Sequence, residues 1–217
     1  MVKWPRFGSC KTRLSKDIGK KNALNIQRKM LSHTLSVSKN LQDRKIAEVS
    51  LAITGVGFNR SERWCKDLGI KNFCFQGKGC LGEKMKKQIY KSRRNLRCHQ
   101  KRNIIFIGTD LPNLCSLDIV QTISKLENKD VVIGPSNDGG YWLIGLSNKL
   151  LNPLCAWPFS GISWGSDKVL KETIRLASLN QIDYQLLQTK NDLDNIMDLS
   201  PWLDHKKFRL SASSYQL

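Results

Sequence analysis

The sequence predicts an α/β domain, a mostly parallel sheet flanked by helices. Two observations carry this. Short apolar, β-branched runs alternate with longer segments of helical period, which is the pattern of βαβ units. Several of those runs, such as NIIFIG at 103–108, are apolar almost throughout, as strands covered on both faces must be. The 217 residues suit one such domain with a single core, assigned to residues 1–200. Residues 201–217 read as a loosely held C-terminal tail.

The expected strands are 47–54 (AEVSLAIT), 72–76 (NFCFQ), 103–108 (NIIFIG), 130–134 (DVVIG), 141–146 (YWLIGL) and 182–187 (IDYQLL). Helical periodicity falls at about 20–41, 59–68, 81–95, 116–127 and 166–179. In the third helix Leu81, Met85 and Ile89 form a stripe at i+4 spacing. In the fourth, Ile119, Val120, Ile123 and Leu126 form one face, with Ser116 as the expected N-cap. One element is missing from this pattern. A Pro-x-x-Gly-x-x-Lys loop begins at Pro5, and only Met1–Trp4 precede it where a buried strand should feed it. Five lost apolar side chains, at ~1.5–3 kcal/mol each, would remove ~10 kcal/mol, a deficit comparable with the net stability of a whole domain. The expectation is therefore that Met1 is an internal methionine, with the native start some ten residues upstream.

Composition sets the outer bounds. Thirty-six Lys and Arg against 18 Asp and Glu leave a net charge of +18, which favours anionic partners, whether nucleic acid or a phosphorylated small molecule. No run reaches the ~18 apolar residues of a membrane span. The first twenty residues lack the apolar core of a secretory signal, so a cytoplasmic protein is expected. Seven irregularly spaced cysteines with no Cys-x-x-Cys fit reduced thiols rather than a zinc site.

Four segments could carry chemistry. The first is Pro5-Arg6-Phe7-Gly8-Ser9-Cys10-Lys11-Thr12-Arg13. Its glycine allows close approach to a phosphate and its cations could neutralise one, although a basic surface loop would look the same. A Walker loop is excluded because Cys10, not glycine, precedes Lys11. The second is Gly108-Thr109-Asp110-Leu111-Pro112. A carboxylate directly after a buried strand lies where α/β sheets bind ligands, and Asp110 could hold a hard cation; the alternative is a turn residue. The third, Asn137-Asp138-Gly139-Gly140, reads first as a hairpin turn. The fourth is Asp192-Leu193-Asp194. Its alternate carboxylates point the same way if extended, and either complete a metal site or cap the following helix, with Asp194 as the N-cap candidate.

Taken together, these segments resemble a bacterial glycosyltransferase-A-like family associated with arsenosugar biosynthesis and radical-SAM/selenodomain operons, related to the molybdenum-cofactor and phospholactate guanylyltransferases. The matching residues are Pro5-x-x-Gly8-x-x-Lys11-Thr12-Arg13-Leu14, Gln76-Gly77-x-Gly79-x-Leu81-Gly82-Glu83, Gly108-Thr109-Asp110-x-Pro112, Asp130-Val131-Val132-x-Gly134-Pro135-x-x-Asp138-Gly139-Gly140-Tyr141, Trp164-x-Ser166-x-x-Val169 and Asp192-x-Asp194-x-x-x-Asp198-Leu199. The resemblance implies a single-domain, Rossmann-like nucleotide-diphospho-sugar transferase fold. It implies that Gly8, Lys11, Thr12 and Arg13 bind the nucleotide's phosphates, and that Asp110, with Asp192, holds Mg²⁺ or Mn²⁺. Asp138 and Asp194 would be catalytic. Gly139, Gly140, Tyr141 and Trp164 would line the acceptor side. The chain departs from the family in lacking the first strand and in carrying Asn195 where Thr is usual.

The expected activity is metal-dependent transfer of a sugar from a nucleotide-sugar donor to a small-molecule acceptor. The same site could instead release pyrophosphate from a nucleoside triphosphate, as a nucleotidyltransferase. A rival from another class is a basic nucleic-acid-binding protein, drawing on the cations between Lys84 and Arg102. That segment also buries Leu81, Met85 and Ile89, and only Tyr90 could stack a base, so a solvated helix face is favoured.

Overall fold

The computed structural model describes residues 1–94, 102–151 and 159–203. In chain order the elements are β1 (Val2–Lys3), α1 (Leu14–Asp43), β2 (Ser50–Thr54), α2 (Phe58–Asp67), β3 (Asn72–Phe75), α3 (Leu81–Arg94) and β4 (Ile104–Ile107). Then follow α4 (Ser116–Lys125), β5 (Val131–Pro135), β6 (Tyr141–Leu146), α5 (Val169–Leu179), β7 (Tyr184–Leu186) and α6 (Ile196–Leu203).

The strands form two sheets, ordered β1-β2-β3 and β4-β6-β5-β7. The first is wholly parallel. In the second, β5 and β7 run parallel while β6 runs antiparallel to both β4 and β5. The reversal at β6 follows from the Asn-Asp-Gly-Gly turn, which returns the chain within five residues and leaves no room for a crossover helix. Val131, Val132, Ile133, Leu143, Ile144 and Leu146 are all essentially inaccessible, each contributing roughly 1.5–3 kcal/mol by burial. Their continuous apolar runs are what a strand buried on both faces requires.

The expected absence of a first strand is corrected. Val2 and Lys3 pair in parallel with Ile53 and Thr54, and Val2 is 2% exposed. A side chain reinforces this short strand: the buried Gln76 amide donates to the carbonyls of Val2 (3.1 Å) and Ala52 (2.9 Å). The Met1 amine donates to the Ile107 carbonyl at 2.9 Å and so joins β1 to the end of β4. That contact sets the amino end of β1 beside the carboxyl end of β4, and Lys3, Thr109 and Asp110, at or just after the ends of the two strands, line one cavity.

Helix α1 is longer than its periodicity suggested because a first turn, begun at Leu14, precedes a break at Gly19 (φ 80°, ψ 156°). Beyond Gly19 the buried set Ala23, Leu24, Gln27, Met30, Leu31, Thr34, Leu35, Ser38 and Leu41 recurs at helical spacing; Leu31 and Leu35 join the core with Val2, Leu51 and Ile53 of the first sheet, and Met30 joins Leu14, Leu193 and Leu199. Two capping expectations are corrected. Cys115, not Ser116, caps α4, and its backbone N–H is held by the Asp118 carboxylate at 2.8 Å. Helix α6 is capped by Asn195, whose side-chain oxygen accepts from the N–H groups of Met197 (2.8 Å) and Asp198 (3.2 Å). The boundary expected at residue 200 falls inside this helix.

Candidate active site

The loop after β1 is built to bury a cation. Arg6 closes a turn by accepting from the Ser9 N–H and the Cys10 thiol, and Lys3 reaches over to the Ser9 carbonyl. Gly8 adopts φ 74°, a region open to glycine. Lys11 adopts φ 46°, uncommon for a residue with a side chain. The outcome is a lysine side chain only 3% exposed, its ammonium 3.2 Å from Asp110 Oδ2 and 2.7 Å from Asp194 Oδ1. Three segments far apart in sequence therefore meet at one nitrogen.

Each carboxylate has its own support. Asp110 follows β4, and its carbonyl accepts from the Leu193 N–H at 3.1 Å, which ties the chain after β7 to the end of β4. Leu193 itself enters the core beside Leu14, Met30 and Leu199. Asp198 accepts from the N–H groups of Asp194 and Asn195, so the cap of α6 also fixes the backbone at Asp194. The Asp194 carboxylate is left for Lys11. Asp192 is the most perturbed acid of the group. Burial, then the negative charges of Asp138, Asp110 and Asp194, push it up to about 7, while Lys11 works the other way.

Lys11, Thr12, Arg13, Asp110 and Asp194 line one cavity of about 220 Å³, together with Lys3, Cys10, Gln27 and Thr109. Gly8 belongs to the same loop but not to its lining.

The remaining candidates sit on the β5–β6 side. Asp138 is exposed in the turn and accepts from the Gly140 N–H at 3.0 Å, so the hairpin reading of this segment is also satisfied. Gly139 is obligatory there: its φ is 85°, and a Cβ would lie 2.0 Å from the Asp167 carbonyl oxygen. Tyr141 meets Trp164 edge-on at 6.3 Å. Trp164 in turn covers Gly82, where a Cβ would fall 2.5 Å from the indole nitrogen. Gly139, Gly140, Tyr141 and Trp164 are each partly buried, and Asp138 stands exposed beside them.

Two features escaped the sequence reading. Gln27, on α1 and only 6% exposed, donates its amide to Asp110 Oδ1 at 3.2 Å. Nothing in a helical stripe distinguishes a buried glutamine aimed at a ligand from one aimed at a backbone. A second cavity of about 650 Å³ opens at the carboxyl ends of β1 and β2, lined by Trp4, Arg6 and residues 55–60. The Gly55-Val56-Gly57 sequence after a strand was its available signal.

A hard divalent cation fits this donor set. Asp110 and Asp194 already share one positive charge, and their oxygens are the ligand type that Mg²⁺ prefers. Among the described residues no three His, Cys, Asp or Glu side chains form a ready-made cage. Mg²⁺ bound to nucleotides commonly takes one or two carboxylates, with phosphates and water completing its shell.

The architecture is the nucleotide-diphospho-sugar transferase fold. It matches a "putative nucleotide-diphospho-sugar transferase" from Desulfovibrio desulfuricans G20 with a TM-score of 0.82 at 26% identity, covering 97% of this chain and 88% of the other. It also matches 4-diphosphocytidyl-2C-methyl-D-erythritol synthase from Anaerococcus prevotii DSM 20548, with a TM-score of 0.53 at 13% identity over 81% and 89% of the two chains. At that identity the likeness is one of fold. The chain belongs to the family described as "Uncharacterized protein conserved in bacteria (DUF2064)", whose model matches residues 36–166. No curated protein matches it.

Proposed function

We propose that the protein is a cytoplasmic, metal-dependent glycosyltransferase that takes a nucleotide-sugar donor and a small-molecule acceptor. The observation that carries the reading is the convergence of Lys11 with Asp110 and Asp194 beside an open cavity at the carboxyl ends of β1 and β4. Sheets of this kind bind ligands at that end. The likeness to the Desulfovibrio protein over 97% of the chain supports the donor class.

In this reading Lys11 exchanges its carboxylate partners for phosphate oxygens of the donor, and the exposed Arg13 and Thr12 grip the same diphosphate from the rim. The wider cavity beside Trp4, Arg6, Phe58 and Arg60 takes the base and ribose, since it combines flat apolar rings with cations next to the phosphate loop. An Mg²⁺ or Mn²⁺ held by Asp110, with Asp192 nearby, would supply positive charge to the departing diphosphate. An acceptor hydroxyl attacks the anomeric carbon, the bond from that carbon to the diphosphate oxygen breaks, and the hydroxyl proton passes to Asp138 or Asp194. Preorganised charge of this sort is usually the largest catalytic contribution.

The nucleotidyl route uses the same phosphate loop with attack at the α-phosphorus. A thermal-shift screen of nucleotide sugars and triphosphates, with and without Mn²⁺, selects the donor, because a ligand bound to the native state raises its melting temperature. Turnover then separates the routes: nucleoside diphosphate is expected as product, and pyrophosphate would transfer the assignment to nucleotidyl transfer. Asp110→Ala should abolish metal-dependent turnover with the fold intact; undiminished activity would remove Asp110 from the mechanism.

A further inference from the structure

Asp110 presents its two oxygens to different partners. Oδ2 faces the Lys11 ammonium at 3.2 Å, whereas Oδ1 accepts from the Gln27 amide at 3.2 Å. The glutamine is 6% exposed on a helix whose other buried residues are mostly apolar, so its amide is desolvated. Gln27, Thr109 and Asp110 all line the same cavity. In the proposed reading Lys11 moves to the donor's phosphates, which frees Oδ2 while Oδ1 stays with its buried donor and biases Asp110 toward binding a cation through one oxygen. One-oxygen binding suits Mg²⁺ or Mn²⁺, which need compact octahedral geometry. Ca²⁺ takes more ligands and readily accepts both oxygens of one carboxylate.

We infer that Gln27 is a positioning residue that sets the cation preference of the site, holding Asp110 in a one-oxygen mode that favours Mg²⁺ and Mn²⁺ over Ca²⁺. The inference rests on the proposed role of Asp110 as a cation ligand. Loss of such supporting hydrogen bonds typically costs roughly 10–100-fold in metal affinity. The experiment is calorimetric titration of the full chain with MgCl₂, MnCl₂ and CaCl₂, with and without a nucleotide sugar, for wild type, Gln27→Met and Gln27→Glu, with melting temperatures recorded in parallel. Gln27→Met keeps length and apolar packing while removing the donor. It should weaken Mg²⁺ and Mn²⁺ binding about tenfold and Ca²⁺ binding distinctly less, narrowing the preference. Gln27→Glu replaces the donor with an oxygen ligand and should strengthen Ca²⁺ most. An unchanged Mg²⁺:Ca²⁺ ratio in both variants, with wild type binding Mg²⁺, overturns the role of Gln27 and leaves the cation site standing. Wild type that binds none of the three ions, with or without a nucleotide sugar, overturns the cation site and the inference together.

Discussion

Lys11, Asp110, Asp138 and Asp194 all bear on the charge of Asp192, and there the balance of the site is most strained. Its ordinary carboxyl value is 3.8 and its folded value about 7, raised first by burial and then by its acidic neighbours. Between those values the native state keeps a proton that the unfolded chain has released. Stability in the metal-free protein therefore falls as pH rises from about 4 through 7. Asp192→Asn removes this dependence. Urea denaturation at pH 5 and pH 8 should show a flatter profile for the variant, with a gain over wild type at pH 8 on the order of 3 kcal/mol. Parallel profiles for the two proteins would mean that Asp192 ionises without penalty. Asp110, directly after an apolar run, was legible in the sequence as a carboxylate at a strand end. Its partners were not, since Gln27 and Lys11 precede it by 83 and 99 positions and only folding brings them together.

At the level of elements, α6 and the β5–β6 hairpin position the acids. The helix cap decides which aspartate is available: because Asn195 satisfies the first N–H groups of α6, Asp194 is released toward Lys11. Asn195→Ala should cost about 1 kcal/mol, measured by urea unfolding, and Asn195→Thr should be close to neutral because threonine is also a competent cap. This equivalence gives a physical reason for asparagine at a position where the resembling family usually carries threonine. An alanine variant as stable as wild type would show that the cap carries no weight. In the hairpin, Gly139→Ala combines a positive φ with a Cβ placed 2.0 Å from a carbonyl oxygen. A loss of about 2 kcal/mol or more in melting or urea experiments is expected, with displacement of the neighbouring Asp138. Most elements could be read from periodicity, because apolar spacing reflects burial. The caps could not, since several adjacent residues at each helix start were chemically able to serve.

Across the whole molecule, the +18 charge predicts attraction to any polyanion, but the cations are not uniformly available. On α3, Lys87 and Lys91 are tied to the backbone carbonyls of Lys78 and Phe75, at 2.6 and 3.0 Å. Residues 95–101 of the basic run lie outside the described residues. Binding of random duplex DNA should therefore be diffuse, falling steeply between 50 and 200 mM salt, on the order of a thousandfold if about six phosphates are contacted. A nucleotide-sugar thermal shift should survive the same change, because its contacts are partly buried and less screened. Sub-micromolar DNA affinity at 200 mM salt would favour the nucleic-acid reading instead. Among the described residues, no helix is long and apolar enough to cross a membrane.

The residues alone determined the α/β class, the order of most strands and helices, and the segments able to carry charge to a ligand, because burial and turn chemistry leave local marks. Tertiary structure decided what those segments do to one another. It formed a short first strand from Val2 and Lys3 with help from Gln76, and it placed β6 between β4 and β5. It also closed Lys11 between Asp110 and Asp194. A lysine's preference between water and a carboxylate depends on the solvent left around it, and that is a property of the packed molecule.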